Sequence, residues 1–241
     1  MQRLSRADPH CHTAASDGMV SPAELVAGAL RRGLQLIAVT DHDTMACVAE
    51  TVARGEAAGL AVIPGQEVTT RWPAQTHLLG YFLSRPIRIG LSLADSVSAI
   101  HDQGGLAVIP HPFMPTYFAS CQPSMLERLI DTHPIDGIEL IHTAPTTGAR
   151  DRALQRFYDR NHGRLGAALG ASDSHFGFHD LGRAVTLFPG STAGDFRTAM
   201  EAGLTRAQTG ARSPVPGRLL ARQQLRSLIE LPIKRLRGDL Q

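Results

Sequence analysis

Three short segments of this 241-residue chain combine histidine and carboxylate side chains at spacings that suit metal binding. His10 and His12 flank a single cysteine, and in a strand both imidazoles would project from the same face. Asp173 and His175 repeat that spacing with one oxygen and one nitrogen ligand. His42 lies between two aspartates, directly after an apolar run. Together these segments predict a catalytic metal centre assembled from distant parts of the chain.

Further candidate ligands stand singly beside strand-like runs. The nine predicted metal ligands are His10, His12, Asp17, His42, Glu67, His77, His111, Asp173 and His175. A tetrahedral zinc takes about four ligands, so nine predict two or three divalent ions. The carboxylate of Glu67 could bridge two of them, which an imidazole cannot do. Because no thiolate belongs to the set, zinc, manganese and iron all remain open.

The elements that must position these residues alternate between strand and helix. Ser21, Pro22 and Glu24 predict a capped helix start, and Gly33 predicts its end. The predicted strands cover 36–40, 60–63, 76–82, 106–109, 135–141, 165–170 and 183–188, with helix-like segments between most of them. Near-continuous apolar strands separated by helices favour a parallel sheet covered by helices.

This alternation alone fits either a barrel or a doubly wound sheet. Most of the candidate ligands follow the C-terminal ends of successive strands, and a barrel gathers those ends at one mouth. We therefore predict an α/β barrel. The Pro/Gly-rich stretch 210–217 predicts a boundary between a catalytic barrel (1–210) and a basic tail (211–241). The tail is predicted to be helical and to pack on the barrel or on a partner.

Composition excludes several classes of protein. The net charge of +2 gives no overall attraction to nucleic acid or membrane, although the tail alone carries +5. Three widely spaced cysteines predict no disulfide framework. The N-terminus lacks the apolar core of a secretory signal, and no run approaches the roughly 20 apolar residues of a membrane span. We expect a cytoplasmic protein with no membrane partner.

The metal-binding segments resemble the PHP family, the polymerase and histidinol phosphatase superfamily of metal-dependent phosphoesterases. The matching segments lie between positions 8 and 175, with a family-like Leu-Gly-Arg ending at Arg183. The resemblance implies a distorted (β/α)7 barrel with three metals at the C-terminal ends of its strands. The implied ligand sets are His10, His12, Glu67 and Asp173 for the first metal, Glu67, His77 and His111 for the second, and Asp17, His42 and His175 for the third.

The resemblance also implies attack on phosphorus by a hydroxide held between metals. We assign catalytic roles to Asp43, Glu67 and Asp173. Substrate contacts are assigned to Arg183, whose guanidinium matches phosphate oxygens, and to His142, which follows an apolar strand toward the mouth. A structural salt bridge is the alternative for Arg183, and a further metal ligand is the alternative for His142.

Two departures from the nucleotide-acting branch of the family leave the substrate class open. That branch carries a helical insertion where this chain has only a short turn and one helix, and an arginine where this chain continues with Phe113. The loop 112–123, with Phe113, Tyr117 and Phe118, is expected to form a more apolar pocket wall or to pack on the barrel rim.

We expect a phosphatase of a small phosphorylated metabolite or nucleotide. An exonuclease on short oligonucleotides is the alternative, and it would need a basic track to the metals, for which the tail is the candidate. A non-catalytic metal-binding module is a third reading, disfavoured because such relatives often lose ligands and this chain keeps every one that matches. The oligomeric state stays open.

Overall fold

The computed structural model describes residues 4–116 and 119–239, so Tyr117 and Phe118 lie outside the described residues. The strands are β1 (Leu4–Cys11), β2 (Leu36–Val39), β3 (Ala61–Thr69), β4 (His77–Tyr81), β5 (Leu106–Ile109), β6 (Gly137–His142), β7 (Ala167–Ala171), β8 (Ala184–Pro189) and β9 (Arg206–Thr209). The helices are α1 (Pro22–Arg31), α2 (Val48–Ala58), α3 (Leu93–His101), α4 (Pro123–Ile130), α5 (Gly148–Leu165), α6 (Ala193–Glu201), α7 (Gly217–Leu225) and α8 (Leu231–Arg237).

The strands of the described chain form one sheet in the order β7-β6-β5-β4-β3-β2-β1-β8-β9. It curls until its ends meet. Beyond the paired strands, Cys11 and Ser174 form a parallel bridge, and the Ser174 amide donates to the His10 carbonyl at 3.0 Å. On the same edge of β7, the hydroxyl of Thr186 in β8 donates to the Gly170 carbonyl at 2.9 Å. The predicted α/β barrel is confirmed as a nearly closed sheet.

The expected count of seven regular strand–helix units is not confirmed. No helix separates β3 from β4, and β4 runs antiparallel to both of its neighbours. The pair β8–β9 is also antiparallel, and β8 runs antiparallel to β1. The reversal at β4 matters for the site, because Thr69 at the end of β3 pairs with His77 at the start of β4. His77 thereby reaches the same rim as the C-terminal ends of the parallel strands.

The inside of the barrel is apolar toward its base and polar at its rim. Ile63 and Glu67 lie four residues apart on β3 and so share the inner face. Ile63 packs in a buried layer that includes Phe196 and Met200 of α6, which close the base. Other buried clusters lie between the sheet and its outer helices. The apolar base fixes the strands on which the polar rim is mounted.

Local signals in the sequence explain where several helices begin and end. Ser21 and Glu24 form the predicted capping box, in which the Glu24 amide donates to the Ser21 hydroxyl. Gly59 ends α2 in the left-handed conformation (φ 73°), which glycine adopts without steric cost. No helix within residues 4–116 and 119–239 is long and apolar enough to cross a bilayer. The expected cytoplasmic location stays a prediction.

Residues 217–237 form what we call the tail helix, made of α7, a π-helical turn at Arg226–Glu230, and α8. Gln223 and Leu231 are buried and Leu219 is half-buried, whereas the helix exposes Leu220, Leu225, Leu228, Ile229, Ile233 and Leu236. The domain boundary near residue 210 stays a prediction.

Candidate metal centre

Glu67 is the hub of the rim. Its side chain is fully buried, and both carboxylate oxygens contact histidine nitrogens. Oε2 contacts nitrogens of His10 at 3.1 Å, His12 at 3.2 Å and His42 at 3.2 Å, and Oε1 contacts nitrogens of His77 at 2.8 Å and His111 at 3.0 Å. A carboxylate in this position can bridge two cations.

The rim contains three groups of side chains whose ligand atoms lie within 4.8 Å of one another. The groups are His10, His12, Glu67 and Asp173; His42, Glu67 and His77; and His12, Asp17, His42 and His175. The first group is the ligand set that the family resemblance implies for the first metal. The third group contains the ligand set implied for the third metal, and His12 in addition. In the second, His42 stands where His111 was expected, while His111 keeps its contact with Glu67. The structure thus brings all nine predicted ligands together.

These atoms fit divalent cations better than they fit one another. Several buried ligand atoms of the centre make no hydrogen bond: Nδ1 of His12, His42, His77 and His111, and Oδ1 of Asp17. Buried polar atoms are normally paired, so these orphaned atoms call for another partner. Nε2 of His10 and Nε2 of His12 are 3.1 Å apart. Divalent cations held between the imidazole and carboxylate groups would supply such partners.

The electrostatics keep the carboxylates ionised. Burial alone would raise the pKa of Glu67, but His42, His77 and His10 hold it well below its ordinary value. Asp173 behaves in the same way, since His10 and His175 outweigh burial and lower its pKa. Burial dominates at His42, whose pKa lies well below its usual value despite Glu67 and Asp17. Ionised acids and a neutral imidazole are the forms that bind metals.

Glu139 is a site residue that the sequence reasoning missed. Its Oε1 lies 2.8 Å from Nδ1 of His10, and its Oε2 accepts the His111 amide at 2.7 Å. A carboxylate on Nδ1 fixes the tautomer and leaves Nε2 for the metal. The available signal was an acid that is fully buried within the otherwise apolar strand β6.

Asp41 anchors the loop that follows β1. Its Oδ1 accepts the Thr13 amide at 2.7 Å and the Ser16 hydroxyl at 2.6 Å, and its Oδ2 accepts the Thr13 hydroxyl at 2.6 Å. The loop closes so tightly that a Cβ on Gly18 would lie 2.6 Å from the carbonyl of His12. This packing explains the Asp-Gly pair and holds the preceding aspartate, Asp17, at the rim.

Two further buried acids hold the segment after β7. Asp8 accepts the amides of Ser172 at 2.9 Å and Gly182 at 2.8 Å, and burial raises its pKa to about 7. Asp180 accepts the His175 amide at 2.7 Å, and burial raises its pKa as well. The segment is also strained, because Asp173 has a φ of 51°. Such strain persists only where its surroundings over-determine the conformation.

Asp43 keeps its assigned catalytic role as a prediction. It joins none of the three groups, because neighbouring residues at a strand end face opposite ways and His42 takes the inward position. Its Oδ1 accepts the Thr69 amide at 2.7 Å, and its Oδ2 accepts Nε of Arg235 at 2.6 Å. Both oxygens of Asp43 are therefore engaged in contacts that hold neighbouring segments together.

His142 and Arg183 lie together in a cavity of about 390 Å³. Nδ1 of His142 and Nε of Arg183 are buried without a hydrogen bond, while Nη2 of Arg183 donates to the Ser213 carbonyl at 2.5 Å. The cavity wall also includes Thr143, Thr146, Asp151, Thr209 and Arg212. Thr143 donates to the carbonyl of Ser172, the residue before Asp173, so the cavity lies beside the segment that carries Asp173, although none of the nine predicted ligands lines it.

In the loop after β5, Ala119 lines a cavity beside His42 and His77, whereas Phe113 is packed in the core and Tyr117 and Phe118 lie outside the described residues. Phe113 is only 3% exposed, and its ring packs edge to face on Phe157 with centroids 5.4 Å apart. It belongs to the core, which agrees with the alternative of packing on the barrel.

The chain was compared with known proteins. A family model described as the PHP domain matches residues 8–180. The uncharacterised protein MJ1587 of Methanocaldococcus jannaschii is 30% identical over 148 residues, which is 57% of this chain and 81% of that protein. A 5'-3' exoribonuclease of Haemophilus influenzae is 32% identical over 102 residues, 42% of this chain and 37% of the relative.

A 3',5'-nucleoside bisphosphate phosphatase of Chromobacterium violaceum is 35% identical over 78 residues, 32% of this chain and 27% of the relative. The chain therefore aligns with well under half the length of either named enzyme. Among solved structures, a two-domain protein of Bacteroides vulgatus with a PHP-like metal-dependent phosphoesterase aligns with a TM-score of 0.71 at 22% identity. That alignment covers 93% of this chain and 70% of the other, and it supports the fold.

The family model spans most of the barrel, and the metal groups it encloses are complete. The chain is a member of the PHP domain family of metal-dependent phosphoesterases, hydrolases that act on phosphoric esters.

Proposed function

We propose that this protein hydrolyses a phosphomonoester of a small metabolite or nucleotide. Water adds to phosphorus, the bond from phosphorus to the leaving-group oxygen breaks, and the products are inorganic phosphate and an alcohol. The observation that carries the proposal is the set of three metal groups, with a 390 Å³ cavity beside the segment that carries Asp173. That volume lies in the range of pockets that hold small molecules, and nucleotides are of that size.

Each part of the site has a role in this reaction. Bound divalent cations supply Lewis acidity and lower the pKa of a bound water. Glu67 and Asp173 would hold the cations, and the hydrogen bond of Glu139 to Nδ1 of His10 would leave Nε2 of that ring for them. We infer that zinc, manganese or iron occupies the groups, because the ligands are nitrogen and oxygen only.

The cavity supplies contacts for the substrate. Arg183 and Arg212 lie on its wall and can pair with phosphate oxygens. Nδ1 of His142 is buried and unpaired, so it can hydrogen-bond to a polar group of the leaving alcohol. Burial lowers the pKa of His142, which favours the neutral ring.

The test is a phosphatase panel. Protein stripped of metal with a chelator and reloaded with manganese, zinc or iron in turn should release inorganic phosphate from at least one small phosphomonoester. Arg183→Ala should raise KM more than it lowers kcat, because it removes a substrate contact. The matched control is Arg160→Ala, an exposed arginine of α5. Failure of every metal and every monoester would overturn the proposal.

An exonuclease acting on short oligonucleotides is the second candidate. The matching 5'-3' exoribonuclease favours it, as does the position of the basic tail helix beside the rim. A 5'-phosphorylated tetranucleotide separates the two: stepwise release of mononucleotides supports the exonuclease, whereas release of phosphate alone supports the phosphatase. The third reading, a non-catalytic module, has nothing in its favour here because the donor groups are complete.

A further inference from the structure

The tail helix lies against the metal centre. Nε2 of Gln223 donates to Oδ2 of Asp17, a member of the third metal group, at 3.2 Å. One turn later, Arg226 donates to the carbonyl of Ala14 at 3.3 Å and to that of Gly18. These contacts set the helix on the loop that carries Asp17.

The other end of the tail helix is held on the opposite side of the rim. Nε of Arg235 donates to Asp43 at 2.6 Å, and Nη2 donates to the Thr69 hydroxyl at 2.7 Å. Asp43 is fully buried and Arg235 is 19% exposed, so this ion pair is better shielded than ordinary surface pairs. Leu231, one turn before Arg235, is 3% exposed. The helix therefore crosses from the β1 side of the centre to the β3 side.

Between the tail helix and the metal groups there is a second cavity, of about 210 Å³. His42 and His77 line it from the barrel, and Ser227, Leu231 and Arg235 line it from the tail helix. It is smaller than the roughly 300 Å³ at which small-molecule pockets usually begin. The larger cavity of about 390 Å³, with His142 and Arg183, is lined mainly by the end of β6, the loop after it and the segment around the start of β8, and by no residue of the tail helix.

The difference in size between the two cavities predicts which class of phosphate ester fits. A phosphomonoester carries one organic group, which the larger cavity can take. A phosphodiester carries two, and the second would meet the tail helix.

We propose that the tail helix makes the metal centre selective for terminal phosphomonoesters over phosphodiesters, with Leu231 and Arg235 as specificity-determining residues. The proposal rests on the proposed phosphoesterase function and deepens it. Arg235 acts through its ion pair with Asp43, through its hydrogen bond to Thr69, and as part of the cavity wall. Loss of these contacts would let the tail helix move and would open the smaller cavity to a second organic group.

The test compares two loosened variants with two matched controls. Arg235→Ala removes the ion pair, and Leu231→Ala removes the apolar anchor without touching Asp43. The controls are Arg237→Ala and Leu236→Ala on the same helix, since Arg237 is exposed and Leu236 is 89% exposed. Each full-length variant is assayed with p-nitrophenyl phosphate and with bis(p-nitrophenyl) phosphate, which differ by one organic group.

The expected result is a fall of about tenfold in the monoester-to-diester ratio of kcat/KM for both loosened variants, with no change in the controls. Two readouts do not depend on activity. Amide hydrogen exchange in 217–237 should speed up in the loosened variants, and a coloured chelator should strip bound manganese faster from them. Both rates should match the wild type in the controls.

The outcomes separate this proposal from the proposed function. Absence of phosphate release from any monoester would end the proposed function, and exchange and chelator rates would still report whether the helix covers the metals. Phosphate release with an unchanged ester ratio, despite faster exchange, would overturn the specificity role. Unchanged exchange and stripping rates in both loosened variants would show that the helix is not held as described.

Discussion

The barrel rim and the tail helix meet at the same site but are built differently. On the rim, Glu67 and most of the histidines that it contacts are buried, and Glu139 holds His10 from the side away from Glu67. The tail helix touches the rim through a few long side chains, and much of its apolar surface is exposed. The rim has the rigidity that catalysis needs, whereas the helix has the loose attachment expected of an element that selects substrates.

This difference predicts which properties of the protein a substitution in each region should change. A change on the rim should alter metal binding and catalysis together, because each side chain there has several partners. A change on the tail helix should alter access and selectivity while the barrel stays folded.

The largest effect is expected from Glu67→Gln. Loss of the shared carboxylate charge should reduce phosphate release on the order of a thousandfold, since metal-ion stabilisation of the transition state amounts to several kcal/mol. Metal content measured by plasma mass spectrometry should fall in parallel. Glu56→Gln, on the exposed face of α2, is the control. Full metal content with a loss below about tenfold would contradict the role of Glu67 as the hub.

Glu139→Gln should have the next largest effect. The amide cannot supply the negative charge that orients Nδ1 of His10, so metal affinity should fall by about 10–100-fold. Competition with a metal indicator measures this affinity directly. An unchanged affinity would mean that His10 is held by its strand alone.

The metal-free rim should respond to pH through His175. Burial lowers the pKa of this imidazole, but Asp17 and Asp173 more than compensate and raise it to about 10. The folded state then holds the proton more tightly than the unfolded state. The resulting stabilisation is complete below about pH 6.5 and is lost as the pH rises toward 10.

Urea unfolding of the metal-free protein at several pH values checks this. The stability advantage of wild type over His175→Asn should shrink between pH 6.5 and pH 10. Metal affinity should rise with pH over the same interval, because the ligands must lose their protons. A stability difference that is independent of pH would contradict the account.

The smallest effect is expected from Arg226→Ala on the tail helix. This side chain contacts only backbone carbonyls of the β1 loop and the partly exposed Glu230. We expect the free energy of unfolding to change by less than about 1 kcal/mol, as for most partly exposed contacts. Chemical denaturation measures it, and a loss above about 3 kcal/mol would show that the tail helix is part of the cooperative core.

Much of the rim could be predicted from the sequence because histidines and acids interrupt apolar strands at their ends. His10, His12 and Asp173 could be predicted as ligands from their spacing alone. Glu67 lies within β3 and is placed by its pairing with β4, which brings His77 opposite Thr69. The antiparallel direction of β4 could not be predicted, because the hydrophobic pattern of a strand does not depend on its direction in the sheet.

Other features depend on contacts that periodicity does not encode. Asp41 and Asp43 flank His42 symmetrically in the sequence, yet one binds the β1 loop and the other binds Arg235. Glu139 sits inside an apolar run, and its role appears only when β6 lies beside the histidines. The amphipathic pattern of the tail predicts a helix but not its path across the centre, which the contacts of Gln223 and Arg235 determine.

The central claim is that distant strands jointly bind divalent cations around Glu67. Anomalous diffraction from crystals soaked in manganese tests it most directly. The account predicts peaks within the group of His10, His12, Glu67 and Asp173 and beside His42 and His175. Crystals of active protein with no anomalous peak within coordination distance of Glu67 would contradict it.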